Sequence, residues 1–216
     1  MLNKLIAGGI IGASLIFPNF NNSSCQINKN QDSSIIAFRT DESPEKYADK
    51  RKEFVENAKK YLGTKYQWDG RNTKKNHNLD CLGLIFLAYS KTYNKKWTEI
   101  SVNPSEIVKK EQLGKPVKGL EGVLKDSINF SKLEEGDIIY LLSTSEIKDK
   151  PLAKINGIDY WPWHTGIYSD KKNNLLLHAE PGKKVVETDF KEYLNKTITD
   201  GIFITEAIFV TRIYSD

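Results

Sequence analysis

At 216 residues, with 39% hydrophobic and 28% charged side chains, the sequence has room for one globular domain and an appendage. Its net charge of +4 is spread over scattered lysines. That excludes a dense nucleic-acid footprint and leaves mild attraction to anionic surfaces such as a cell envelope.

The first segment reads as a targeting signal. Lys4 gives a positive start, Leu5 to Phe17 is uncharged, and polar sequence follows from Asn19. This is the pattern of a secretory signal peptide over residues 1–19, with cleavage reaching as far as about residue 25. An uncleaved N-terminal anchor is the alternative. The apolar run is short for a membrane span, and no later segment is long and apolar enough for one. Cys25 offers a lipidation point, although Asn22-Ser23-Ser24 is a poor match to the residues usual before a lipoprotein cysteine. A Cys25–Cys81 disulfide would tie a tail to a core helix, so Cys81 reads as a free thiol that needs an explanation in an exported chain. Residues 20–43, rich in Asn, Ser, Gln, Asp and Lys, read as a flexible linker, with Ile35 to Phe38 as a short sticky stretch.

Structure is expected from Ser43-Pro44, a good cap followed by a good first helical residue. Tyr47, Phe54, Ala58, Tyr61 and Leu62 recur at helical spacing and Gly63 stops them, which predicts a helix over Pro44 to Leu62. A polar loop carrying "KYQWDG" runs from Gly63 to Asn78. A second helix spans Cys81 to Tyr93 and is apolar almost all round, so it belongs at the centre. Residues 94–132 hold one short helix after Asn103-Pro104 and looser segments. From Leu133 the period changes to strands: "EEGDIIYLLS", "WHTGIYS", "NLLLHAE", "KVVETDF" and "IFITEAIFVTRIY". Helices first and strands second predict an α+β fold with an antiparallel sheet packed on the cysteine helix.

The chain has three histidines, His77, His164 and His178. If the strands bearing His164 and His178 form a hairpin turning at Asp170 to Asn173, the two are equidistant from the turn. They then face each other with Cβ atoms about 5 Å apart. Cys81 begins a helix, where unpaired amides and a nearby imidazolium lower a thiol's pKa. Cys81 as nucleophile, His164 as base and His178 as the residue that orients it make up the geometry of covalent acyl transfer, with the first helix amides available to an oxyanion. The plain alternative is a buried core cysteine with two satisfied sheet histidines. A zinc site from His77, Cys81, His164 and His178 has suitable ligand types but straddles a loop–helix junction, and no carboxylate stands ready to act on a bound water. His77 itself reads as solvated.

These stretches resemble, in order, the motifs of the NlpC/P60 family of papain-like cysteine peptidases, which cut bacterial cell-wall peptides. "YLGTKYQWDG" is similar to the segment bearing a tyrosine near the active site, here Tyr66. "LDCLGLI" resembles the Asp-Cys-Ser-Gly nucleophile motif, "EEGDIIYL" the Pro-Gly-Asp-Leu strand, "HTGIY" the His-Val-Gly-Ile-Tyr base, and "LLLHAEPG" the strand with the third polar residue. The resemblance covers Lys46 to Tyr214. It implies catalytic Cys81, His164 and His178, substrate contacts at Tyr66, Asp80 and Leu82, and neither metal nor organic cofactor. Leu82 stands where the family most often has serine, and that serine with the preceding Asp is implicated in holding a free L-alanine amine. The longer interval before His164 ends in "PLAKINGIDYWPW", expected at the rim of the cleft, where Tyr160, Trp161 and Trp163 could contact substrate.

The expectation is therefore an exported, monomeric, papain-like cysteine hydrolase over residues 44–216 that acts on peptidoglycan or muropeptides, with no nucleic-acid partner. Its predicted cut is at a γ-D-glutamyl–diamino acid bond. N-acetylmuramyl-L-alanine amidase or another acyl transferase on the same scaffold is the alternative, and a non-catalytic wall-binding module the second.

Overall fold

In a computed structural model, residues 44–73, 76–145, 150–198 and 203–214 are described. All belong to the larger of two units, Asp41–Asp216. The expected signal peptide, Cys25 and the linker lie outside the described residues.

Helix α1 (Pro44–Lys59) buries Phe54, Val55 and Ala58. It stops three residues short of the expected end. There Tyr61 and Leu62 bond back to Ala58 and Lys59 in a tighter turn, and Gly63 leaves at φ +83° to donate to Val185 O. The expected polar loop contains a two-stranded hairpin, β1 (Arg71–Thr73) with β2 (Asn76–Leu79).

Helix α2 (Cys81–Tyr93) has the expected bounds and ends on Asn94 at φ 51°. Leu84, Ile85, Phe86 and Ala88 are fully buried, so an all-round apolar sequence becomes a central helix. Asn103 caps α3 (Pro104–Lys109), accepting from Ser105 and Glu106 amides. Next comes β3 (Lys115–Leu124), where only loose segments were expected. Gly119 and Gly122, at φ +78° and +75°, kink it into an irregular edge strand, so no period of two shows.

The rest are β4 (Ile138–Ser143), β5 (Ala153–Ile155), β6 (Ile158–Asp170), β7 (Leu175–Ala179), β8 (Val185–Asp189), α4 (Phe190–Leu194), β9 (Thr197–Ile198), β10 (Phe203–Ile204) and β11 (Ala207–Arg212). The main sheet runs β3-β11-β4-β6-β7-β8, with β5 on the outer half of β6, and all its pairs are antiparallel. The α+β arrangement expected from the order of periods is the one observed.

The sheet is covered on both faces. Ile138, Tyr140, Leu142, Ile167, Leu177 and Ala179 share a core with α1 and α2. Ile139, Leu141, Tyr168, Leu176, Ile208 and Val210 pack under Phe190, Tyr193 and Leu194 of α4. Burial on both faces explains why β4 reads as an unbroken apolar run. Among the described residues no helix is long and apolar enough to cross a membrane.

Candidate active site

Asp80 sits one residue before the helix in extended conformation, and its Oδ1 accepts the Gly83 amide at 2.6 Å. Its other oxygen pairs with Arg71, whose guanidinium also donates to Gly70 O at 2.9 Å and lies 5.5 Å from the Phe86 ring. The N-cap expected of Asp80 is thus formed, and the residue is 6% exposed. Gly70 O presses so close to α2 that a Cβ on Gly83 would lie 2.0 Å from it.

Cys81 follows as the first helical residue, a free and partly exposed thiol. Burial, reinforced by the Asp80 carboxylate, pushes the thiol up to about 11, against the pull of the Thr165 hydroxyl and amide and the Leu82 amide. This corrects the expectation of a thiol lowered by its helix. The cap carboxylate that satisfies the helix end also sets a negative charge beside the sulfur.

His164 and His178 come together with Nε2 and Nδ1 2.9 Å apart and rings nearly perpendicular, at 84°. They do not face each other directly. Ile167 lies opposite Leu177 and Tyr168 opposite Leu176, which carries Gly166, not His164, opposite His178. The turn falls at residues 171–174, later than expected, and the Ser169 bulge recovers one residue of that offset, which leaves the register two from the expected one. An even shift keeps both imidazoles on one face, where diagonal neighbours about 7–8 Å apart still meet through long side chains. Gly166 makes the room, since a Cβ there would lie 3.2 Å from that of His178.

A second bulge, at Trp163, falls between the Leu141–His164 and Leu142–Pro162 pairs. It puts two successive rings on one side, so Trp163 stacks on His164 at 5.3 Å and 25°. His178 continues the chain of polar groups, its Nε2 3.2 Å from Thr188 Oγ1. For His164 Nδ1 to accept a proton, Nε2 must carry one. That sets His164 donating to His178, and His178 to Thr188. Burial holds both imidazoles far below their ordinary value. His178 adds to the effect on His164, and Lys196 and Lys183 add to that on His178, which falls to about 3. The thiol and its candidate base are both uncharged at neutral pH.

No hydrogen bond joins Cys81 to His164. Thr165 is the β6 residue that meets the sulfur. Tyr193 links the groups, with its ring 4.2 Å from His178 and 6.0 Å from His164 and its hydroxyl within electrostatic reach of Cys81. Glu180 lies close by, nearly buried. Burial would raise its carboxyl, but hydrogen bonds from Lys196 at 2.5 Å and Lys183 at 3.0 Å outweigh it and hold it below its ordinary value. Thr188, Tyr193 and Glu180 were missed from sequence. Only Glu180, two positions after His178 on a strand, carried a signal, the shared face.

Tyr66 is half-buried against the core. Burial raises its hydroxyl, and the neighbouring Cys81 and Asp80 raise it further. Leu82 is 8% exposed and packs in the core below the site. The expected rim segment is the β5–β6 hairpin. Tyr160 is buried in the α2-side core, Trp161 is half-buried opposite Ser143, and Trp163 lies on the α4 side. His77 is exposed on β2.

No family model and no curated protein matches the chain. Solved structures do. NlpC1 from Trichomonas vaginalis is 19% identical with a TM-score of 0.44, over 76% of this chain and 44% of that one. An N-acetylmuramoyl-L-alanine amidase from Bacteroides uniformis is 17% identical with a TM-score of 0.46, over 77% of this chain and all of that one (100%). A hypothetical invasion protein of Mycobacterium tuberculosis is 18% identical with a TM-score of 0.46, over 80% and 67%. The chain is similar to NlpC/P60 proteins. It spans less than half the length of the two Trichomonas proteins, 44% and 47%. At these identities the likeness is one of fold, and the site rests on its own distances.

Proposed function

We propose that the chain is a cysteine hydrolase of peptidoglycan stem peptides, exported to the envelope or beyond it, that cuts an amide bond through a thioester on Cys81. The observation that carries this is the buried His164–His178 contact at 2.9 Å, sharing Tyr193 with a thiol at a helix start. Satisfied structural histidines have no need of a third polar partner and a flanking aromatic.

In this reading His164 Nδ1 takes the thiol proton as sulfur attacks the carbonyl carbon. The C–N bond breaks, the amine leaves with that proton, and a thioester remains. Water then gives a proton to Nδ1, attacks the thioester, and releases acid and thiol. The Gly83 amide is used by Asp80 and the Leu84 amide bonds Asp80 O. The Cys81 amide and the Tyr66 hydroxyl are left as oxyanion donors.

The scissile bond proposed is γ-D-glutamyl–diamino acid. A free L-alanine amine at Asp80 would compete with Gly83 and Arg71 for that carboxylate, and Leu82 offers no hydroxyl to help, so cleavage is expected without one. Cys81→Ala should abolish release of fragments from purified muropeptides while its melting temperature stays within a few degrees of the parent. Full activity in that variant would sink the mechanism. Product masses separate endopeptidase from muramyl-L-alanine amidase, and sacculus binding that survives without any cleavage would leave only a wall-binding module.

A further inference from the structure

Thr165 is 1% exposed, and its Oγ1 has no hydrogen-bond partner among the described residues. A buried, unpaired hydroxyl costs about 1–3 kcal/mol. Valine has the same shape and β preference without that cost, so this hydroxyl invites a reason. Its position gives one. Thr165 pairs with Tyr140 on the sheet face turned to α2 and lies against the sulfur of Cys81, one residue from His164.

We propose that the Thr165 hydroxyl is a hydrogen-bond donor held for the Cys81 thiolate. The inference rests on Cys81 being the nucleophile. In the resting thiol state sulfur is a poor acceptor, and the O–H group is left without a well-formed bond. When the thiol gives up its proton to the base, the sulfur becomes an anion and Thr165 O–H turns to it. No bond of Thr165 breaks. The hydroxyl partly offsets two unfavourable neighbours, burial and the Asp80 carboxylate. The other ionisable groups within electrostatic reach of the sulfur are Tyr66 from the loop before β1 and Tyr193 from α4, with Arg71 acting through Asp80.

The test is alkylation of the full chain by iodoacetamide between pH 7 and 9, followed at the Cys81-bearing peptide by mass spectrometry so that Cys25 does not contribute. Losing a charge-assisted hydrogen bond raises the thiol pKa by about one pH unit, which lowers the thiolate population tenfold while making each thiolate more nucleophilic. Thr165→Val should therefore react roughly threefold to tenfold more slowly at each pH, and Thr165→Ser should recover the parent rate. Thr165→Ala removes the hydroxyl without filling its space, so it must match valine. Equal rates for parent and valine variants would overturn the inference, as would serine behaving like valine. Alkylation needs no substrate. If the rates differ as expected but no muropeptide is cut, the hydrolase reading falls and the thiolate donor stands.

Discussion

At the scale of single residues, the thiol and the two imidazoles rest uncharged. Burial and the cap carboxylate keep the thiol protonated, and burial keeps His164 and His178 neutral. A preformed thiolate–imidazolium pair would show alkylation that is flat across neutral pH. Here the rate at Cys81 should instead climb close to tenfold per unit from pH 7 to 9, and a plateau there would contradict the neutral pair. The same burial has a stability consequence. His178 ionises near its ordinary value when unfolded and near 3 when folded. Protons therefore favour the unfolded chain, and stability that is fully present above about pH 6.5 is lost as pH falls toward the folded value. Urea unfolding at pH 7 and pH 4.5 should differ by on the order of a few kcal/mol, and His178→Gln should shrink that difference. The His164–His178 contact was legible in the sequence because histidine is scarce in it. Thr165 and Tyr193 were not, since threonine in a strand and tyrosine near a helix are what any core would use.

At the scale of elements, placement of Cys81 depends on how closely the loop before β1 and helix α2 approach. Gly70 O takes the Asp80 amide at 3.2 Å and sits where a Cβ on Gly83 would be. Backbone cannot yield there as a flexible side chain would. Gly83→Ala should cost roughly 1–3 kcal/mol in urea unfolding and lower kcat as the cap and thiol shift together. Unchanged stability would show that the loop gives way freely. α2 was legible from Asp80 through Tyr93 because one capping residue and a long apolar run agree. β3 was hidden by its glycines and lysines. α4 was hidden because Val185-Val186 begins a strand and five helical residues have no period of their own. The histidine register was read from symmetry about the turn, and a turn that falls at residues 171–174 displaces it further than the bulged serine restores.

At the scale of the whole molecule, one buried ion pair ties the first half of the sheet to its last strand. Arg212 grips Asp137 with two bonds, of 2.7 and 2.8 Å, and reaches Lys132 O with a third at 2.8 Å. Asp137 is fully buried. Arg212→Ala strands that carboxylate and should cost about 3–5 kcal/mol in urea unfolding, and a loss under 1 kcal/mol would mean that water replaces the guanidinium. The strand carrying Arg212 is also the last one in the fold, yet it lies between β3 and β4. The sheet cannot close around a gap at that position. A chain without β11 therefore leaves β3 no partner in the sheet and Asp137 buried without its cation.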